Sequence, residues 1–397
     1  MSKIVSVVGL GYVGLPLAVA LCESGFTVNG LDVNSEKLNQ LNIGKSPVED
    51  ISDSQIAQLI RNGNLSASSD FSKIVNSEIV FICVPTPIHT DFTPDYSNVL
   101  DSAKSIRKHL SNNTLVILES TVSPGFTRNT FIPLIKENLL PNTNNVFFAF
   151  SPERIDPSNK KWTIKNTPKL IAGESPESLE MAVNVYSKFI DKIERCASLE
   201  VAETAKLLEN SFRLINISFI NEISVFCQKI GIDVIDVVKA AGTKPYGFMP
   251  FYPSIGVGGH CIPVDPLYMS SKAAEVGIKT KMIDLAIEIN QEIPDYFVGR
   301  AEETVGSLAS KRILVVGVAY KPNIADVRQT PVEALITGLR QKGAQVSWHD
   351  DLVKEWNGEK SVALSSDFDL AIIATPHDYL DLTKLGNVPI LNTRGSI

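Results

Sequence analysis

Cysteine is scarce in this sequence of 397 residues, which contains five cysteines. They are widely spaced, odd in number and include no CxxC pair. Disulfide frameworks and zinc sites need closely grouped thiols, so we predict neither a disulfide nor a metal site. This usage favours a reducing cytoplasm, in which each cysteine is either a buried apolar side chain or a reactive thiol.

An excess of positive charge is also missing, because 37 Lys and Arg residues stand against 44 Asp and Glu residues, for a net charge of −7. Without Lys/Arg blocks there is no basic face for phosphates, which excludes nucleic acid as the main partner. With 44% hydrophobic and 20% charged residues the chain can bury large cores, so a disordered protein is excluded. Any anionic ligand must be held by local groups.

Only one uncharged, mostly apolar run, residues 4–22, approaches the length of a membrane span. Three glycines and a proline interrupt it, and no small-residue cleavage site follows. We therefore predict neither a membrane segment nor a signal peptide, and no membrane partner.

The same glycines form the pattern GLGYVG between a β-branched run at residues 3–8 and a helical segment, and the next strand ends in an acid. Such a turn lets the backbone approach a pyrophosphate at a helix N-terminus, while the acid bonds both ribose hydroxyls. The acid would repel a 2′-phosphate and no Arg follows closely, so NAD is predicted as the cofactor. The predicted cofactor-binding residues here are Gly9, Gly11, Tyr12, Val13, Gly14 and Asp32.

Short apolar runs that stop at polar or Pro-containing residues continue at 78–84, 114–119 and 145–150. Buried parallel strands with functional carboxyl ends have this pattern. It predicts a doubly wound, NAD-binding Rossmann domain over residues 1–195.

Residues 200–231 show no strand signal but have apolar side chains at helical spacing, which predicts one long helix. Helical patterns resume at 272–277 and 282–305, so residues 196–305 are predicted to form an all-helical central domain that supplies a dimer interface. From Arg312 the α/β pattern restarts, and residues 306–397 are predicted to form a second, smaller Rossmann-like domain. Its first turn holds only Gly317, so a nucleotide other than a dinucleotide suits it. The predicted fold class is α/β, with two doubly wound domains joined by a long connecting helix.

Glycines surround Cys261 in the stretch 256–266, and Asp265 lies four residues beyond it. A core cysteine needs no such surroundings, whereas glycines let substrate approach a thiol, so Cys261 is predicted to be a nucleophile. Cys22 and Cys83 lie in apolar runs and are predicted to pack inertly. Thiolate formation needs a nearby cation or base, and the long helix offers Lys206. Taken alone, such a lysine is more often solvated at the surface.

Several motifs in order carry a resemblance to the nucleotide-sugar 6-dehydrogenase family of UDP-glucose, UDP-N-acetylhexosamine and GDP-mannose dehydrogenases. They are GLGYVGLP (9–16), CVPTP (83–87), ESTVSPG (119–125), SPERIDP (151–157), KLLEN (206–210), TKPYGFMPFYP (243–253), GVGGHCIPVDP (256–266) and AYKPNIADVRQTP (319–331). The sixth and seventh motifs most resemble the UDP-N-acetylglucosamine branch. Two positions depart from the family: Pro253-Ser254-Ile255-Gly256 replaces a Pro-Gly-Pro-Gly run, and Pro157 stands where UDP-glucose relatives carry a second glutamate.

The resemblance implies a four-electron oxidation of a sugar C6 hydroxyl with two NAD⁺, through a thiohemiacetal and a thioester on Cys261. It implies that Lys206 stabilises oxyanions, that Asn210 positions the reacting oxygen, and that Asp265 supports proton transfer. Glu153 and Thr121 match residues that hold water or substrate near C6, although strand-end capping is an equal alternative for both.

The resemblance also assigns binding residues. Thr86, Thr121 and Arg328 match cofactor contacts. The substrate-binding residues that it implies are Glu153, Arg154, Lys206, Asn210, Phe251, Tyr252, Gly258, Lys321 and Arg394. For Phe251 and Tyr252, aromatic packing is an equal alternative.

The preferred substrate is UDP-N-acetylglucosamine, with UDP-N-acetylmannosamine, UDP-N-acetylgalactosamine or UDP-glucose as alternatives, and the product would serve a surface polysaccharide. A homodimer or higher homo-oligomer is expected. Two rival functions stay open: a single-step 3-hydroxy-acid dehydrogenase, which needs no nucleophilic cysteine, and a silent NAD-binding regulator.

Overall fold

The computed structural model of the protein describes residues 3–137, 139–141, 143–156, 159 and 161–395, which leaves Pro157 outside the described residues. The described residues form two compact units. The first comprises those of Met1–Leu208 together with Leu267–Lys272, and the second comprises Glu209–Pro266 with the rest of the chain from Ala273.

The first unit is built on a sheet in which the described residues form eight strands, in the order β3-β2-β1-β4-β5-β6-β7-β8. The strands are β1 (Ile4–Val8), β2 (Thr27–Leu31), β3 (Leu65–Ser68), β4 (Ile79–Ile82), β5 (Thr114–Leu118), β6 (Val146–Phe150), β7 (Lys169–Gly173) and β8 (Ile193–Arg195). The helices between them are α1 (Gly14–Glu23), α2 (Ser35–Asn42), α3 (Asp53–Arg61), α4 (Ser97–Ile106), α5 (Ile132–Lys136) and α6 (Pro176–Tyr186).

Alternate side chains of the strands feed two cores on opposite faces of this sheet, as the period of two requires. In β5, Leu115 and Ile117 pack with the core that includes α1 and α6, whereas Val116 and Leu118 pack with the core that includes α4 and α5. Helices therefore cover both faces, and the carboxyl ends of the parallel strands are left to form a site.

Helix α7 (Leu199–Lys229) carries the chain from the first unit into the second. The second unit contains α8 (Val234–Ala241), the two ends of α9 (Asp265–Glu275), α10 (Lys281–Val305) and α11 (Val332–Gln341), together with β9 (Arg312–Val316), β10 (Gln345–His349), β11 (Glu355–Trp356), β12 (Glu359–Lys360), β13 (Leu370–Ile373) and β14 (Ile390–Asn392). Its main sheet is parallel in the order β10-β9-β13-β14, and β11 and β12 form a separate antiparallel pair. Ile293, Phe297 and Ala301 of α10 pack into the core of this sheet.

The predicted fold class is confirmed, and the long helix predicted at 200–231 is α7. The apolar run at 4–22 forms β1, a turn and α1. Short, half-polar strands such as β3 were not predicted, and neither was the antiparallel pairing of β6 with β7. A parallel pair needs a crossover, and the described part of the 151–168 connection contains no helix.

None of the helices formed by the described residues combines the length and the apolar character that crossing a bilayer needs. The described residues also contain no group of three or more His, Cys, Asp or Glu side chains able to hold a metal ion.

Candidate active site

Three glycines of the turn after β1 meet three different requirements. Gly9 has a φ of +90°, and its N–H donates to the Leu31 carbonyl at 2.7 Å. A Cβ at Gly14 would lie 1.8 Å from the Gly9 carbonyl oxygen, so α1 begins directly against the turn. A Cβ at Gly11 would meet no protein atom within 4 Å. No described side chain caps the N-terminus of α1, where the Leu15 N–H donates to the Gly11 carbonyl at 3.0 Å and the helix dipole favours an anion.

Asp32, at the end of β2, accepts hydrogen bonds from the Leu10 N–H at 2.8 Å, the Asn34 N–H at 2.9 Å and the Lys37 ammonium at 2.6 Å. Burial opposes the charge, but these bonds outweigh it and lower the pKa of Asp32. The ionised carboxylate is the acceptor that ribose hydroxyls need. Lys37 was not predicted as a partner of Asp32, although the sequence places this lysine in the first turn of the helix that follows the acid.

The other predicted cofactor residues of this unit follow β4 and β5. Thr86 is buried, and its carbonyl accepts a hydrogen bond from the Tyr268 hydroxyl at 2.7 Å. Thr121 is partly buried in the loop after β5. That loop is anchored to α7, because the buried Glu203 carboxylate accepts from the Gly125 N–H at 2.6 Å and the Thr127 N–H at 3.0 Å.

Lys206 lies one turn after Glu203 on α7 and is only 9% exposed. The alternative of a solvated surface lysine is therefore wrong. The Lys206 ammonium is buried and lies three residues along the helix from Glu203, which anchors the 121–127 loop. It is therefore a positioned cation, as oxyanion stabilisation requires.

Glu153 follows β6, and both of its carboxylate oxygens are engaged. Oε1 accepts from the backbone N–H groups of Arg154 and Ile155 at 2.7 and 2.6 Å, and Oε2 accepts from the Lys169 ammonium at 3.3 Å. The side chain thus caps its own loop, as the alternative predicted, and is also held by a buried cation that was not predicted. The Arg154 guanidinium donates to the Pro168 carbonyl at 2.6 Å.

In the second unit, Cys261, Asn210 and Asp265 come together. The Cys261 carbonyl accepts from the N–H groups of Val264 and Asp265 at 3.1 and 2.8 Å, which makes a tight turn into α9. Asp265 is buried, and its Oδ2 accepts from Asn210 Nδ2 at 2.5 Å. Cys261 itself is exposed.

The cysteines predicted to be inert are buried. Burial raises the pKa of the Cys22 thiol to about 12 and also raises the pKa of the Cys83 thiol. Neither thiol forms a nucleophilic thiolate near neutral pH, so the prediction of inert packing is confirmed.

The glycines before Cys261 pack against the chain itself. A Cβ at Gly258 would lie 2.7 Å from the Gln329 carbonyl oxygen, and one at Gly259, where φ is +85°, would lie 2.8 Å from the Tyr320 ring. The Gly259 N–H donates to the Arg328 carbonyl at 3.1 Å. These glycines bring the Cys261 loop against the 320–331 segment, a reason for glycine that differs from the predicted approach of substrate.

Charged side chains surround this loop. Lys321 is partly buried, and the Arg328 guanidinium pairs with Asp326 at 2.5 Å. Burial, with the nearby Arg328 charge, lowers the pKa of His260. The imidazole beside the thiol is therefore neutral near pH 7.

The remaining substrate residues of this unit differ in exposure. Phe251 packs edge-to-face on Phe212 at 5.8 Å between ring centroids, so the packing alternative holds for it, whereas Tyr252 is 49% exposed. Arg394 is partly buried, and burial lowers its pKa.

The second sheet repeats the turn-and-acid arrangement of the first. Gly317 has a φ of +83°, and its N–H donates to the His349 carbonyl at 2.8 Å. At the end of β10, the buried Asp350 accepts from the Val318 N–H at 2.9 Å and from His377 Nε2 at 3.0 Å. Asp350 and His377 were not predicted, although an acid directly after the second strand of the unit is the same signal as Asp32.

Sequence profiles of one family match the chain over three segments. They describe the NAD binding domain of the UDP-glucose/GDP-mannose dehydrogenase family over residues 3–190, its central domain over 200–292 and its UDP binding domain over 314–393. The chain belongs to this family. It is an NAD-dependent nucleotide-sugar dehydrogenase, so the predicted family, enzyme class and cofactor are confirmed.

Individual relatives of the dehydrogenase align over most of their length. "Protein CapL" of Staphylococcus aureus is 32% identical over 97% of this chain and 92% of its own. A UDP-N-acetyl-D-glucosamine 6-dehydrogenase of Pseudomonas aeruginosa is 35% identical over 88% of this chain and 83% of its own. The solved structure of a UDP-D-ManNAc dehydrogenase from Pyrococcus horikoshii is similar with a TM-score of 0.89 at 27% identity, covering 99% of this chain and 95% of that one.

Proposed function

We propose that the dehydrogenase oxidises the C6 hydroxyl of a UDP-N-acetylhexosamine to the uronic acid, with UDP-N-acetylglucosamine as its substrate. The observation that carries this proposal is exposed Cys261, whose backbone carbonyl accepts from the N–H of Asp265 in the buried Asn210–Asp265 pair. A two-electron oxidation needs no nucleophile, whereas an aldehyde held as a thiohemiacetal can be oxidised again. Two similar proteins act on N-acetylhexosamine nucleotides by name, and the one at 35% identity acts on the glucosamine form.

The proposed reaction starts at the C6 alcohol. NAD, when bound, accepts one hydride in each of the two oxidations, and the chain's own residues do the rest. Lys206 stabilises the negative charge that develops on the C6 oxygen as its proton leaves, and Asn210 positions that oxygen. The product of this first half is the C6 aldehyde.

The second half runs through Cys261. Its thiol adds to the aldehyde carbonyl, forming a C–S bond, and loss of the second hydride turns the thiohemiacetal into a thioester. Water, held by Glu153 and Thr121 and deprotonated with the help of Asp265, attacks the thioester carbonyl, and the C–S bond breaks. The uronate leaves and the thiol is restored, with two hydrides and three protons released per sugar.

Each of the two nucleotides has its own set of contacts in this proposal. The glycine turn and Asp32 of the first unit hold the pyrophosphate and ribose of NAD, with Thr86, Thr121 and Arg328 as further contacts. The UDP-sugar contacts are Arg154, Phe251, Tyr252, Gly258, Lys321 and Arg394. The division of the chain at 1–195, 196–305 and 306–397, the homodimer and a place in surface-polysaccharide synthesis are parts of the same proposal.

A panel of UDP-sugars tests the proposal. Purified protein is incubated with NAD⁺ and UDP-N-acetylglucosamine, UDP-N-acetylmannosamine, UDP-N-acetylgalactosamine or UDP-glucose, and NADH and uronate are counted separately. We expect two NADH per uronate and the highest kcat/KM with UDP-N-acetylglucosamine. One NADH per product would support the single-step rival, and NAD binding without turnover would support the regulator.

The covalent steps are tested by Cys261→Ala, which we expect to lower uronate formation by more than about 1,000-fold because no thioester can form. Cys196→Ser is the matched control, because Cys196 is partly buried and lies in no proposed contact. Normal uronate production by Cys261→Ala would refute the mechanism and leave the family assignment intact.

A further inference from the structure

A buried charged cluster lies beneath the carboxyl end of β6, and Glu153 is its only member that the proposed steps use. The Lys169 ammonium, at the start of β7, lies 2.9 Å from a Glu119 carboxylate oxygen and 3.3 Å from Glu153 Oε2. The side chains of Lys169 and Glu119 are 8% and 0% exposed. The Tyr186 hydroxyl of α6 donates to the other oxygen of Glu119.

The cluster keeps Lys169 charged. Burial alone would deprotonate this amine, but the carboxylates of Glu119 and Glu153 outweigh burial and raise the pKa of Lys169. Burial also raises the pKa of Tyr186, so its hydroxyl remains a hydrogen-bond donor. Glu119 is therefore held from both sides, by an ammonium and by a phenol.

One end of the cluster is fully buried and the other end is partly exposed. Glu119 and Tyr186 are fully buried and reach no solvent, whereas Glu153 is 15% exposed and is the member of the cluster that a ligand can touch. Two backbone N–H groups fix Oε1 of Glu153, which leaves Oε2 to Lys169. Lys169 would not need to contact a second carboxylate if it only neutralised Glu119. It also lies against Glu153, whose carboxylate solvent can reach.

We propose that Lys169 is a positioning residue for Glu153, with Glu119 and Tyr186 holding Lys169 in place. The ammonium holds the Glu153 carboxylate in one rotamer, so that it can hold the water that attacks the thioester. This inference rests on the proposed function, because Glu153 acts only in that reaction. It assigns roles to three residues that do not themselves touch the substrate.

The test avoids leaving an orphaned buried charge. Lys169→Met alone would strand the Glu119 carboxylate and endanger folding, so the variant is Lys169→Met with Glu119→Gln, whose amide oxygen still accepts from Tyr186. Glu119→Gln alone is the matched control within the cluster, because it leaves Lys169 on Glu153. Lys136→Met is the control for removing a lysine, because Lys136 pairs with Glu174 and does not contact Glu153.

We expect the double variant to lower kcat about tenfold or more, with KM for the UDP-sugar changed less than threefold. Lys136→Met should keep the wild-type kcat, and Glu119→Gln alone, which leaves the ammonium on Glu153, should lower kcat less than the double variant does. A crystal structure of the double variant should show Glu153 Oε2 released from its wild-type position.

A double variant with wild-type kcat would overturn the inference, and so would an unmoved Glu153 carboxylate. A fall in kcat with an equal rise in KM would also overturn it, because general damage to the site predicts that result. Absence of turnover by the wild-type protein on every sugar would instead refute the proposed function, and the crystal structure would still decide whether Lys169 positions Glu153.

Discussion

At the residue scale, the three glycines of the turn after β1 are required for three different physical reasons. Gly9 needs a positive φ, Gly14 needs the space that a Cβ would take from the Gly9 carbonyl, and Gly11 needs neither for the fold. Gly11 is therefore the glycine whose lack of a side chain serves the ligand, because a bare backbone can approach a pyrophosphate closely.

Alanine at these positions should separate folding from cofactor binding. Gly14→Ala should destabilise the protein by about 3 kcal/mol, because backbone atoms must shift to admit the methyl group. Gly11→Ala should change stability by less than about 0.5 kcal/mol but weaken NAD binding tenfold or more. Thermal unfolding and NAD titration by calorimetry measure the two effects, and unchanged NAD affinity in Gly11→Ala would show that the pyrophosphate does not pass there.

At the element scale, α7 has an apolar face that the described residues of the chain leave exposed. Successive members of this face are separated by seven or four positions, which keeps them on one side of a helix. They are Val201, Leu208, Phe212, Phe219 and Phe226, each 44% exposed or more. Apolar surface of this extent on one helix indicates an interface, which supports the proposed homodimer.

A charge in this face should weaken the dimer. Phe219 is 55% exposed, and Phe219→Glu would place carboxylates where two apolar faces are proposed to meet. We expect the dissociation constant to rise by about 100-fold or more, measured by size-exclusion chromatography with light scattering over a dilution series. Gln58→Glu on α3 is the control, because it adds the same single negative charge to an exposed helix position elsewhere. A wild-type protein that is monomeric throughout the series would contradict the interface.

Strong periodicity decides which elements can be predicted from this sequence. The buried strands β1, β4 and β5 and the helix α7 carry long apolar patterns, and all were predicted. Strand β3, with serine at two of its four positions, and the three-residue β8 carry almost none. Such strands form because an existing sheet edge supplies hydrogen-bond partners, and local sequence does not record that edge.

At the scale of the whole molecule, two sheets with separate cores share one local design, a glycine turn whose backbone is tied to an acid at the end of the neighbouring strand. In the first sheet Asp32 is paired with Lys37, and in the second Asp350 is paired with His377. Burial opposes the Asp350 charge, but hydrogen bonds from His377 and from backbone N–H groups outweigh it and lower its pKa to about 2.

Because of this pairing, the stability of the second unit depends on pH. Because the pKa of folded Asp350 is about 2, below the ordinary 3.8, its stabilisation is complete above about pH 4 and is lost as the pH falls towards 2. Asp350→Asn should lower the free energy of unfolding by about 2 kcal/mol at pH 7 and by much less near pH 2.5. Urea unfolding followed by fluorescence of Trp348 and Trp356 measures it. The exposed Asp367→Asn is the control, and an equal loss at both pH values would exclude the ionic contribution.

Within the candidate site, the sequence alone identified the residues whose neighbours in the chain reveal them. The glycine turn with Asp32, and Cys261 with its surrounding glycines, are readable because turn geometry and thiol surroundings are local properties. The roles of Lys206, Asn210 and Glu153 came only from resemblance, because each depends on partners that local sequence does not specify.

Tertiary structure alone decided which charges are buried and what balances them. Lys206 is an unremarkable helix lysine in the sequence, yet it is 9% exposed in the fold. Lys169 lies 50 positions from Glu119, and Asp265 lies 55 positions from Asn210. Pattern and spacing determined the elements and the cofactor turn, because those depend on local geometry. The partners of buried ionisable groups depend on which strands and helices end side by side, and only the folded chain establishes that.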